Sequence, residues 1–165
     1  MKKVTLLLFV FIGSLAFGQK INDSKANKLE NNNVVFKKTK ELVESKSFKF
    51  VAQWKRPGTG TRETMGNILN YIIVKDESIR CQLQLYNFKS LSDPENTEDI
   101  YYEGDISKYD VDIDEKKNTI NVSYFIKFRA NILKVDMLIR ANGYTKVTLA
   151  PRDNTILMTY YGNIE

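Results

Sequence analysis

From Ser47 to the C terminus, apolar side chains recur at every second position in one segment after another, and most of the links between segments are too short to cross a sheet. Phe48, Phe50, Ala52 and Trp54 alternate with Lys49, Val51, Gln53 and Lys55. Ile79, Cys81, Leu83 and Leu85 alternate with Arg80, Gln82 and Gln84, and Tyr109, Val111 and Ile113 with Asp110 and Asp112. Ile120, Val122, Tyr124, Ile126 and Phe128 share a parity, as do Leu133, Val135, Met137 and Ile139. Residues 67–75, 144–150 and 156–161 complete the set. A period of two is that of a strand with one buried face. The links at 75–78, 114–118, 129–131, 142–143 and 151–154 are far shorter than the dozen or more residues a parallel crossover needs, so neighbouring strands must be antiparallel. Asn142-Gly143 is the strongest two-residue hairpin signal among them. The expectation is a mostly β fold: an antiparallel up-and-down meander of about eight strands, rolled into a barrel or folded as a sandwich, with one short N-terminal helix.

The helix is expected over residues 34–45, where Val35, Thr39, Leu42 and Val43 share a face and Asn31, Asn32 and Asn33 offer N-caps. Ile72-Ile73-Val74 and Tyr160-Tyr161 are apolar on both faces, so part of the outer surface should be covered, with the helix as the nearest cover. Before the helix the chain changes character. Lys2 and Lys3 precede an apolar run from Val4 to Ile12, and Ala16-Phe17-Gly18 puts small residues at −3 and −1 before Gln19. That order is the order of a cleavable secretory signal, expected over 1–18, with a polar leader over 19–33 and a single β-rich domain over 34–165. The run is shorter than the roughly 20 residues of a membrane span, so the mature chain should carry no transmembrane segment and should be periplasmic or secreted. With the lone Cys81 far from the cleavage site, no lipoprotein attachment and no internal disulfide are expected, and Cys81 reads as a small buried hydrophobe.

The chain has no histidine, which removes Ser-His-Asp and Cys-His catalysis, the common zinc sites and histidine-ligated haem. Asp110, Asp112 and Asp114 open like a calcium loop, but Glu115 and Asn121 stand where that loop needs Gly and Glu, so a solvated strand face is expected and no metal or other cofactor. Gly58-Thr59-Gly60 is not followed by the Gly-Lys-Ser/Thr of a phosphate loop. Charge is uneven: residues 20–62 hold 11 basic and 4 acidic residues, residues 63–165 hold 12 and 16. Such halves can complement each other within one fold, and a surplus this modest, without interleaved aromatics, does not point to nucleic acid.

Several stretches, ESKSFKF, QLQLYNF, ISKYDVDIDEKKNTINVSYFIK and NGYTKVTLAPRDNTILMTYYGNIE, resemble the uncharacterised bacterial envelope proteins grouped as domain of unknown function 4251. The resemblance covers Glu41 to Glu165 and is most specific in the closing Asn-Gly-Tyr and Tyr-Gly-Asn-Ile elements. It implies export, and it implies no activity and no site residues.

The functional expectation is an exported, non-catalytic binding or interaction module of the cell envelope, with an envelope partner or ligand. Two other classes stand beside it: a hydrolase of envelope polymers using Glu98, Asp99, Glu103 or Asp105, and a carrier with a hollow barrel. Two links are long, Arg56 to Gly66 and the acidic Lys89 to Asp105. If every link reverses the chain, both fall at one end together with the links holding Arg129 and Arg152. Function concentrates on loops held by a rigid scaffold. The expected binding residues are therefore Arg56, Arg62, Tyr101, Tyr102, Arg129 and Arg152, as donors and aromatic contact surface.

Overall fold

The computed structural model describes residues 30–58, 60–66, 69–85, 99–152 and 155–165. The expected signal segment and most of the leader lie outside these residues. The strands are β1 (Ser47–Pro57), β2 (Glu63–Thr64), β3 (Tyr71–Lys75), β4 (Ser78–Leu83), β5 (Ile100–Asp105), β6 (Ser107–Asp114), β7 (Thr119–Phe128), β8 (Asn131–Arg140), β9 (Tyr144–Pro151) and β10 (Met158–Ile164). They form one antiparallel sheet in the order β5-β4-β3-β1-β10-β9-β8-β7-β6, with the short β2 pairing β1 beside β3. This is the expected meander, nearly closed into a barrel.

Closure comes from a strand that the sequence reading placed in the acidic loop. Eight antiparallel steps separate β5 from β6 along the sheet, an even number, so the two point the same way. Only Ile106 lies between them. They are two halves of one bent strand, the first paired to β4 and the second to β7. The first half ends opposite Ser78 at the start of β4, whereas the second begins opposite Phe125, well along β7. That offset is the stagger a closed barrel requires. Alternation is short in β5, with only Ile100 fully buried, which is why its six residues carried no strand signal.

Two ends result. The tight turns at 76–77, 115–118 and 141–143 share one; the connections after β1, β4, β7 and β9 share the other. The parity argument therefore holds even with β5 added, because β5 and β6 run in one direction. At 141–143 the chain makes a three-residue turn, not the expected two-residue one. Gly143 has φ 79°, a left-handed conformation without penalty for glycine. The Asn142 Oδ1 accepts from the Tyr144 N–H at 3.1 Å.

Helix α1, described over residues 30–44, includes the three asparagines expected to cap it. Its buried positions are Phe36, Thr39 and Val43. It covers the hairpin end and not the outer sheet face: Val35 lies against Gly143, Lys40 pairs with Glu115, and the Tyr109 hydroxyl donates to the Val43 carbonyl at 3.1 Å. The Asp76 N–H donates to the Lys46 carbonyl just after the helix. One end of the barrel is thus stoppered by a helix that, together with Lys46 just after it, touches all three hairpins.

The interior is filled. Tyr124, Tyr160, Phe50, Ile72, Leu83, Ile120, Met137, Ile139 and Leu149 are fully buried, and the Tyr109 and Tyr124 rings stack at 6.1 Å. Cys81 is buried among them, its thiol pushed up to about 12 by desolvation. At the long-link end a polar group closes the inside. The Tyr160 hydroxyl donates to the Gln84 carbonyl at 2.9 Å, the Gln84 N–H to Asn70 Oδ1 at 2.6 Å, and the Lys55 ammonium to Gln84 Oε1 at 3.1 Å.

Lys55 faces inward because the register of β1 on β10 shifts between Ala52 and Trp54. The shift inserts one extra residue, and a bulge of this kind exchanges the two faces of everything that follows. Strict alternation puts Trp54 in the core; the bulge turns it outward, half-buried, and buries Lys55 in its place.

Candidate functional site

The bulge builds the site. Beyond it, Trp54 and Arg56 stand on the outer face of β1, directly across from Tyr161 and Thr159 of β10. Tyr161 is next to Lys146 of β9 in register, and Asn163 next to Tyr144. The Tyr144 and Tyr161 rings stack at 6.5 Å. Three aromatic rings therefore line one patch of outer sheet, from Trp54 past the middle of β10 to the start of β9.

Arg62 lies over them. The link after β1 returns through Glu63 and Thr64, which pair with Lys55 and Trp54; one residue earlier, this register sets Arg62 beside Arg56. The Arg62 guanidinium carbon is 4.5 Å from the centre of the Trp54 ring and 4.8 Å from that of Tyr161. Its Nη2 donates to the Tyr144 hydroxyl at 3.1 Å. Cation–π attraction to two rings and a hydrogen bond in the guanidinium plane fix both its position and its orientation. Tyr161, expected to be covered by the helix, is covered by this arginine.

Two polar atoms beside it lack partners. The Arg56 Nε and the Thr159 Oγ1 are both buried without a hydrogen bond, and Thr159 is 1% exposed. Among the described residues, neither Arg56 nor Arg62 forms an ion pair with a carboxylate; the acids that do pair, Glu103, Asp114, Glu115, Asp136, Glu77 and Glu165, take other cations.

The same outer face continues into a shallow groove over β6 to β9. One hollow of about 430 Å³ is lined by Asp110, Asp112, Ser123, Asp136, Lys146 and Thr148, among others. A second of about 420 Å³, lined by Ser107, Lys108, Phe125, Ile132, Lys134 and Arg152, shares Lys134 with it. Lys134 pairs with Asp136 at 2.8 Å, and the Lys108 ammonium sits over the Phe125 ring at 5.6 Å. Asp114, third in the aspartate series, instead turns its carboxylate into the 115–118 turn, accepting from the Lys116 and Lys117 N–H groups at 3.1 and 3.0 Å.

Of the six residues expected to bind, Arg56 and Arg62 come together, and Arg152 lines the groove. Arg129, with φ 56° and its guanidinium 5.3 Å from the Phe128 ring, occupies the turn after β7 at the same end. Tyr101 and Tyr102 are on β5 and not in a loop, because the acidic segment ends as a strand from Ile100. Tyr101 is exposed on the outer face in register with Gln82; Tyr102 is half-buried opposite Cys81, its hydroxyl donating to the Asp105 carbonyl at 3.1 Å. Both are separated from Trp54 by β4 and β3. The segment 86–98, including Glu98, lies outside the described residues. The sequence reading missed Trp54, Tyr144 and Tyr161. Their only signal was the double-sided apolar pair Tyr160-Tyr161, since nothing in the residues around Gln53 announces a bulge.

No curated protein matches the chain. Among solved structures, the crystal structure of a DUF4251 family protein from Bacteroides eggerthii is similar, with a TM-score of 0.63 over 80% of this chain and 87% of that one. At 16% identity that likeness shows the fold alone. The family model for the domain of unknown function DUF4251 matches residues 30–164, nearly the whole described chain. The chain belongs to the DUF4251 family.

Proposed function

We propose that this protein is exported and acts as a non-catalytic binding module of the bacterial cell envelope, recognising its partner at the long-link end and along the adjoining outer face. The observation that carries the reading is the asymmetry of the barrel. Helix α1 occupies the hairpin end, while the links after β1, β7 and β9, which carry Arg62, Arg129 and Arg152, leave from the other, with Arg56 near the end of β1. The signal-like order of residues 1–18 supports export. Of the candidate acids of a hydrolase, Glu103 is exposed and paired with Arg80 at 3.3 Å, and Asp105 is exposed at the far end of β5, which gives that reading less support. Two such carboxylates would need to face each other across a substrate. A carrier would need room where Tyr124, Tyr160 and Phe50 are packed.

The test is retention on isolated envelope material. Purified protein should co-sediment with an envelope fraction of the native host. Arg152→Ala together with Arg129→Ala should lower retention, while Lys116→Ala with Lys117→Ala, at the hairpin end, should not. No retention of the unmodified protein, or equal losses from both pairs, would sink the reading. Cell fractionation finding the chain in the cytoplasm with residues 1–18 intact would remove export.

A further inference from the structure

We infer that Arg62 and Arg56 form a receptor for an oxyanion, a carboxylate or a phosphate, on the outer face of β1 and β10. The inference deepens the binding reading by naming the chemistry at one part of that surface, and it rests on that reading only for its biological setting.

A guanidinium carries five N–H donors in a rigid fork. In Arg62 one Nη2 hydrogen is spent on Tyr144, and the two ring faces below take the π surface of the cation and none of its in-plane hydrogens. The remaining donors lie in a plane that Trp54, Tyr161 and Tyr144 hold still, and Arg62 is exposed. Immobilising an arginine is the entropic part of binding an anion, and here it is done before any ligand arrives. A purely structural staple would be completed by a carboxylate. None pairs with Arg62 among the described residues, and Arg56 of β1 shares its face.

Arg56 supplies the independent observation. Arg56 follows Lys55 on β1 and stands on the same outer face as Trp54, so a second positive charge belongs to this part of the surface. Among the described residues Arg56 makes no ion pair, its Nε is buried without a partner, and its register neighbour Thr159, 1% exposed, has a hydroxyl without a partner. Buried donors of this kind are costly to leave unmade. An oxyanion seated on the exposed Arg62 fork is also attracted by the Arg56 charge on the same face. The patch continues to Lys146 on β9, of the same sign.

Trp54 is the only tryptophan and touches the guanidinium, so its emission reports the site directly. Titration with glycerol phosphate and, separately, with glucuronate should change Trp54 emission saturably in the millimolar range, above any change from sodium chloride at equal ionic strength. The two probes separate the phosphate and carboxylate sources. Arg62→Ala should weaken the response by roughly tenfold or more, the worth of one charged hydrogen-bond pair. Arg62→Lys should weaken it nearly as much, because an ammonium keeps the charge and loses the fork. Arg56→Ala should weaken it with the Arg62–Trp54 contact intact. No saturable response to either probe, or a response unchanged in Arg62→Ala, overturns the site. If envelope retention persists in Arg62→Ala while both probes fail, the anion site falls and the binding module stands. If the probes bind but envelope retention is absent, the reverse holds.

Discussion

Among single residues, Trp54 and Lys55 show most sharply how local context overrides residue type. A tryptophan on a patterned strand is expected in the core, where truncation to Ala costs about 3–5 kcal/mol. Here the ring is half-buried on the outer face under Arg62, so Trp54→Ala should cost only about 1–2 kcal/mol in urea unfolding, within the range of ordinary substitutions. A loss above about 3 kcal/mol would return the ring to the core. Phe36→Ala makes the contrast. Phe36 is 6% exposed and anchors α1 to the barrel, so its truncation should cost about 3–5 kcal/mol. A value near that of Trp54→Ala would mean that the helix is only loosely seated.

Strand by strand, the sheet depends on close backbone approach at the bulge. A Cβ on Gly162 would stand 1.8 Å from the Val51 carbonyl oxygen, a backbone atom that cannot swing aside. Gly162→Ala should therefore separate β1 from β10 and lower stability by about 3 kcal/mol or more, one of the few mechanisms that reach such values. Losses below about 1 kcal/mol would contradict the pairing at Ala52–Gly162. The turn from β6 to β7 makes a pH-dependent prediction. The Lys117 ammonium first, then the Lys117 N–H, hold the Asp114 carboxyl below its usual 3.8. A depressed carboxyl stabilises the fold above its unfolded pKa and loses that contribution as pH falls through the folded value. Asp114→Asn should accordingly lower the thermal midpoint at neutral pH, and the difference from the unmodified chain should shrink below about pH 4. A difference independent of pH would locate the effect elsewhere.

Over the whole molecule, the filled interior sets the response to alkali. Burial pushes Cys81 from 9.0 up to about 12 and Tyr109 from 10.0 up to about 12, and raises Tyr124 and Tyr160 well above 10.0. The folded state therefore holds protons that the unfolded state releases, so stability is complete below about pH 9 and falls as pH rises toward 12. Urea midpoints should decline across that window, with tyrosinate absorbance appearing together with unfolding. Early tyrosinate absorbance from all the tyrosines of a still-folded chain would mean an open interior. The sequence alone determined the meander, because period two fixes which face each strand buries and short links fix antiparallel neighbours. It also determined, by parity, that the links carrying Arg62, Arg129 and Arg152 meet at one end, since direction reversals can be counted without knowing any distance. Three things were decided by tertiary structure. The bent β5–β6 strand closes the ring because pairing with β4 and β7, and not its own weak alternation, makes residues 100–105 extended. Helix α1 goes to the hairpin end because Phe36, Thr39 and Val43 are buried there. The arginine–aromatic patch exists because a one-residue bulge, set by the match of β1 to β10 and invisible in local residue preferences, turns Trp54 out to meet Tyr161.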